Sequence, residues 1–139
     1  VQDLSTRANS CLTSMTCDQV AGNIVVAGFG DGGLRVYDRR LAPRDNMVRR
    51  YTGVHSSWVQ NVHMQRGGNR ELVTAEYAEQ FLYPPSSRCS VTDSQNFPQL
   101  GGQVCLWDIR LAEPINTLQA HEGGLTQMTV HEHAPIFAT

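Results

Sequence analysis

The chain has 139 residues, ordinary for one domain, and its 40% hydrophobic and 17% charged content supplies enough apolar material for a packed core. A formal net charge of −2 gives no global pull toward nucleic acid or an anionic membrane. No stretch approaches the ~20 apolar residues of a membrane helix, so direct insertion into a bilayer is not expected.

The chain opens at Val1-Gln2-Asp3-Leu4-Ser5, which lacks the basic-then-apolar pattern of a signal peptide and lacks Met; it is expected to be a piece of something longer. Helix periodicity is absent, whereas short strand signals are many. Leu12 to Thr16 is the first, Ile24 to Ala27 the second and Leu34 to Tyr37 the third. The Gly28-Phe29-Gly30-Asp31-Gly32-Gly33 run between the last two predicts a tight hairpin, because such turns need positive φ angles. Met47 to Tyr51 reads as an exposed outer strand. Trp58 to Met64 alternates, placing Trp58, Gln60, Val62 and Met64 on one face if extended. Glu71 to Ala75, Val104 to Trp107, Ile115 to Leu118, Leu125 to Val130 and Ile136 to Thr139 complete the set. Many short strands with turns between them point to a sandwich, barrel or propeller.

Residues 77 to 101 break the rhythm with Pro84-Pro85-Ser86-Ser87 and Thr92-Asp93-Ser94-Gln95-Asn96, and read as a long surface loop. Its aromatics, Phe81, Tyr83 and Phe97, beside a phosphorylatable stretch, make it a candidate partner-contact loop. Cys11, Cys17, Cys89 and Cys105 form no CxxC pair and no zinc spacing, so a reduced, cytoplasmic setting is expected.

Two segments share one grammar. An aromatic-Asp-x-Arg run closes each, as Tyr37-Asp38-Arg39-Arg40 and Trp107-Asp108-Ile109-Arg110, and a Leu-Ala dipeptide follows each, at Leu41-Ala42 and Leu111-Ala112. Val54-His55 and Ala120-His121 come next. The aromatics are 70 positions apart and the histidines 66; without an insertion of about two dozen residues the period approaches ~40–45.

These features resemble the WD-repeat family, whose blades are four-stranded sheets around an axis. The resemblance implies an all-β WD-repeat β-propeller with about two and a half blades present, part of a seven-bladed ring. The first repeat is 10–54, the second 55–120 with the insertion at 77–101, and the third begins at 121–139. In that family a His before the first strand, a Ser or Thr in the second, a turn Asp and a Trp in the third form a hydrogen-bonded chain, which satisfies buried polar groups. His55, Thr74 and Trp107 fit in the second repeat, where the insertion replaces the turn Asp. In the first, Asp31 fits, Tyr37 replaces Trp, and Ala27 stands where a hydroxyl is expected. In the third, His121 and Thr139 fit. The expectation is irregular blades with no complete network, and Trp58 and Trp107 both packed between blades.

Val25 to Ala42 is more specific still. With Ser10 to Met15, His55-Ser56-Ser57-Trp58-Val59, Gly123 to Thr126 and Val130-His131, it resembles the Raptor family, scaffold subunits of TOR complex one. The insertion suggests a divergent, fungal-type member. The resemblance implies a non-catalytic scaffold that binds the TOR kinase, helps present TOR substrates and takes part in docking to Rag-type GTPases. It implies cytoplasmic localisation with recruitment to the lysosome or vacuole surface, and no cofactor. Asp31, Tyr37, Asp38, His55, Thr74, Trp107, Asp108, His121 and Thr139 are structural positions, and no substrate-binding residue transfers by motif. The alternative is a WD-repeat substrate receptor or adaptor in another complex, such as a ubiquitin ligase.

Enzyme chemistry has little support. His131-Glu132-His133 lacks the further rigid ligands a metal needs, so no metal site is assigned. There is no GxSxG elbow, and the Gly28 to Gly33 run lacks the Lys and helix of a phosphate loop, so no catalytic residue is named. Arg39-Arg40 and Arg49-Arg50 lack interleaved aromatics and read as a solvated or salt-bridged face rather than a nucleic-acid site.

Overall fold

The computed structural model describes residues 10–66, 71–77, 102–121, 125–131, 134 and 136–139. Strands β1 (Leu12–Cys17), β2 (Ile24–Phe29), β3 (Leu34–Asp38) and β4 (Met47–Tyr51) form one antiparallel sheet in chain order. Strands β5 (Val59–Met64), β6 (Glu71–Glu76), β7 (Gln103–Asp108) and β8 (Asn116–Gln119) form a second with the same order. The short pair β9 (Thr129–Val130) and β10 (Phe137–Ala138) opens a third. Two four-stranded blades and the start of another therefore follow one another along the chain.

The middle strands are apolar on both faces because each blade is packed on both sides. Val26, Leu34 and Val36 of the first blade meet Val59, Val62, Met64, Leu72, Cys105 and Trp107 of the second in one buried cluster. Val25, Ala27, Phe29 and Tyr37 make a separate cluster on the opposite face of β2 and β3. The second blade's other face, with Val73, Ala75 and Val104, packs on Leu125 and Met128. This is why Ile24 to Phe29 reads as a nearly continuous apolar run rather than an alternating one. Gly28 lies where the sheets come closest: a Cβ there would meet Val59 Cγ1 at 2.6 Å and Val62 Cγ2 at 2.9 Å.

The innermost strands β1 and β5 share a feature absent from the sequence pattern. Each carries a bulge one residue into the strand, between Leu12 and Ser14 and between Val59 and Asn61. In each, the residue inside the bulge reaches the next inner segment: Thr13 Oγ1 donates to Val59 O at 2.7 Å, and Gln60 Nε2 to Thr126 O at 3.1 Å. The following residues continue the ladder. Val62 N donates to Ser14 Oγ at 3.1 Å, and Asn61 Nδ2 to Met128 O at 2.9 Å. Neighbouring blades are thus sewn together along their inner strands.

The bulge also corrects the expected alternation. An extra residue shifts the facing of everything beyond it. Val59, Val62 and Met64 are buried together, whereas Gln60 is exposed. Trp58, expected between blades, precedes the strand and is 53% exposed, while Trp107 is buried as expected. The expected strand over Leu125–Val130 is paired only at Thr129–Val130, although Leu125 itself is buried.

Candidate functional site

A set of deeply enclosed polar groups lies where the first and second blades meet. His55 enters just ahead of β5, Thr74 is central in β6, and Trp107 is near the end of β7; Thr74 faces inward beside the apolar cluster and is fully buried. Trp107 Nε1 donates to Thr74 Oγ1 at 3.0 Å, and His55 Nε2 lies 2.8 Å from the same oxygen. Two residues beyond Thr74, on the same face of the strand, Glu76 places Oε2 3.4 Å from His55 Nδ1. That separation is long for a hydrogen bond, so the contact is chiefly electrostatic. Ser56 N donates to Glu76 Oε2 at 2.9 Å and holds the carboxylate in place.

Glu76, His55, Thr74 and Trp107 thus follow one another in the second blade, but His55 Nδ1 makes no hydrogen bond, so the hydrogen-bonded chain stays incomplete, as expected. The carboxylate comes from the end of a strand instead of the following turn. The signal for it was an acid at two residues from Thr74, which any extended strand puts on Thr74's face. With the carboxylate beside Nδ1, electrostatics favour the proton on that nitrogen, so Nε2 accepts from the Thr74 hydroxyl and Thr74 in turn accepts from the indole. Burial pushes the Glu76 carboxyl up, but the His55 contact and the Ser56 N–H outweigh it and leave the group below its ordinary value.

Tyr51, the last residue of β4, completes this junction. Its ring packs against Trp107 with centroids 5.1 Å apart and planes at 53°, and its hydroxyl contacts the carbonyls of Ile109 and Leu111 at 2.9 and 3.0 Å. Arg49 Nη1 donates to the same two carbonyls. The outer strand of one blade is therefore tied to a turn of the next. Beneath His55, Gly32 adopts a φ of 72° and approaches so closely that a Cβ would stand 2.2 Å from His55 O.

The remaining sequence-derived positions have local duties. Asp38 accepts from Arg40 N at 3.0 Å and from its guanidinium, and Asp108 does the same for Arg110. The repeated Asp-x-Arg is a turn lock, closed further by Leu41 N to Asp38 O and Leu111 N to Asp108 O. The Arg40 guanidinium and backbone hold the Asp38 carboxyl down to about 2. Asp31 stays within its own hairpin, accepting from Gly33 N at 3.0 Å and facing Arg35 at 3.5 Å. Arg35 in turn stacks over Phe29, and Tyr37 is buried in the same cluster. His121 Nε2 and Thr139 Oγ1 are 2.6 Å apart, the third repeat's counterpart of His55 and Thr74. Phe81, Tyr83 and Phe97 lie outside the described residues, as do Cys89, Glu132 and His133; Cys11, Cys17 and Cys105 are free thiols.

A groove of about 1050 Å³ runs beside the blade junction over Ile24, Val36, Met64 and Ile109. Its arginines already have tasks: Arg40 and Arg110 clamp the turn carboxylates and Arg49 holds the two carbonyls. Among the described residues no three His, Cys, Asp or Glu side chains gather as a metal centre. The arrangement serves to fix one blade on the next and to present loops from a rigid frame.

No protein-family model matches the chain. The crystal structure of Raptor from Chaetomium thermophilum superposes with a TM-score of 0.73 at 42% identity, over 94% of this chain and 10% of that one. The target of rapamycin complex 1 subunit KOG1 of Saccharomyces cerevisiae is 42% identical over 99% of this chain. The corresponding subunit mip1 of Schizosaccharomyces pombe is 40% identical over the same share.

The chain matches a segment of Raptor-family proteins.

It spans only 8% and 9% of the two yeast relatives' lengths, so it corresponds to a segment of such a protein. These Raptor-family relatives are fungal, the branch that the insertion suggested. A likeness to the β-propeller domain of Cps50 (Swd1) from Myceliophteria thermophila, at a TM-score of 0.61 and 16% identity, places the family's segment in the propeller fold.

Proposed function

We propose that this segment is part of the propeller of a TOR complex one scaffold subunit, and that it contributes structure and protein-contact surface rather than catalysis. The observation that carries this reading is 42% identity to KOG1 along 99% of the chain. The blade junction supports it, because its buried polar groups are spent on holding sheets together. The whole protein then binds the TOR kinase, helps present substrates to it, and docks with Rag-type GTPases. It works in the cytoplasm and is recruited through partners to the lysosome or vacuole surface.

A segment swap tests the reading. Residues 10–139 replace the matching stretch of Saccharomyces cerevisiae KOG1, and the chimera is purified from yeast. Recovery of the other TOR complex 1 subunits at the level of the unaltered protein is expected. A soluble, folded chimera that no longer joins the complex overturns it.

A further inference from the structure

We propose that the outer edge of β4 is a docking strand for an acidic, extended peptide, which joins the first blade as a fifth strand. Among the described residues β4 is last in its sheet, so outside the bulge at Val48 it turns backbone N–H and C=O groups away from β3 with no described strand to receive them. Met47, Val48, Arg49 and Arg50 are all exposed. This inference rests on the strand and its charge, and it stands whether or not the TOR reading holds.

The edge is basic, and its charge is not cancelled by carboxylates. Residues 44–51 carry Arg44, Arg49 and Arg50 against Asp45, a local charge of +2 in a chain whose net charge is −2. Arg49 Nη1 reaches only the carbonyls of Ile109 and Leu111, which occupy its hydrogens but not its charge. Arg44 and Arg50 pair with no carboxylate among the described residues. The equivalent edge of the second blade, β8, is Asn116-Thr117-Leu118-Gln119, which carries no charge. Of the two outer strands described, only β4 is basic, so the charge is not a demand of the repeat.

Charge also selects the occupant. Two β4 strands meeting edge to edge would set guanidinium against guanidinium, which disfavours a second copy. Arg49 and Tyr51 turn toward the second blade, so Arg50 between them serves the opposite face. An incoming strand with two adjacent acidic residues sends one carboxylate to each face, one to Arg49 and the other to Arg50. Main-chain bonds then provide affinity, and the arginines provide selectivity.

The test uses the full-length protein and fluorescence anisotropy. The probes are a labelled peptide Thr-Val-Thr-Glu-Glu-Thr-Val-Thr, its Lys-Lys counterpart, and the Glu-Glu peptide N-methylated at alternate amides along one edge and then along the other. Saturable binding of the Glu-Glu peptide is expected, with none for Lys-Lys. The R44E/R50E double variant is expected to weaken it about tenfold or more, as is N-methylation along one of the two edges. Equal binding of both charges, indifference to N-methylation of either edge, or no binding at millimolar concentration overturns the proposal. So does a concentration-dependent dimer that R44E/R50E abolishes, which makes a second copy the occupant. Should the double variant not fold, the N-methylated peptides decide the matter on the unaltered protein.

Discussion

Thr74 is the hub of the blade junction, because one hydroxyl oxygen serves both Trp107 Nε1 and His55 Nε2. Thr74→Val keeps the shape but leaves two buried polar groups unmet. An unmet buried group costs about 1–3 kcal/mol, so a loss of about 2–4 kcal/mol is expected. Thr74→Ser keeps the hydroxyl and is expected to cost markedly less. Hydrogen exchange of the β5–β7 amides in the full-length protein measures both; equal protection in Val and Ser variants contradicts the role given to the hydroxyl. Glu76 adds a pH dependence whose sign follows from its depressed value. Its contribution is complete above the ordinary carboxyl value of 4.5 and is lost as pH falls through the lower folded value. Exchange protection at the junction is expected to drop in that acid range, and Glu76→Gln is expected to remove this part of the dependence. A profile identical in Glu76→Gln means that other groups govern acid sensitivity.

At the scale of elements, two glycines set how closely the blades approach. Gly32→Ala places a side chain in the left-handed region, at about 1–2 kcal/mol, and drives its Cβ into the His55 backbone. Gly28→Ala overpacks against Val59 and Val62, with an expected cost of about 1–3 kcal/mol. Hydrogen exchange of the β2 and β5 amides in the full-length protein distinguishes these from the effect of Gly53→Ala, whose Cβ meets nothing within 4 Å but shares a positive φ. If Gly53→Ala destabilises as much as Gly32→Ala, backbone strain alone explains the loss and the close approach does not matter. The strands were legible from short apolar runs and turn residues, and His55, Thr74 and Trp107 from their spacing in the repeat. The bulges at Thr13 and Gln60 were not legible. They exist to aim side chains at a neighbouring strand, and a strand read alone carries no record of its neighbour. Trp58 was placed between blades because aromatics bury large areas, whereas it precedes β5 and stays exposed. Glu76 escaped because the carboxylate was sought in a turn, whereas alternation along β6 already set it beside Thr74.

At the scale of the whole molecule, a propeller needs ~4–8 blades to close. Among the described residues, two four-stranded sheets and a two-stranded start fall short of that number, and an isolated two-stranded unit is marginal in water. Residues 1–139 expressed alone are expected to aggregate or to unfold without cooperativity; a monomer with a sharp melt contradicts this. Within the parent, the same inner-strand ladder and buried contacts make a rigid frame, as the proposed scaffold role requires. The measurement that tests this account most directly is the stoichiometry of proteins retained by the full-length protein, purified from its own cells and quantified by mass spectrometry. The account predicts TOR kinase in near-equal amount. A different complex, recovered in its place without the kinase, would contradict it while leaving the propeller fold intact.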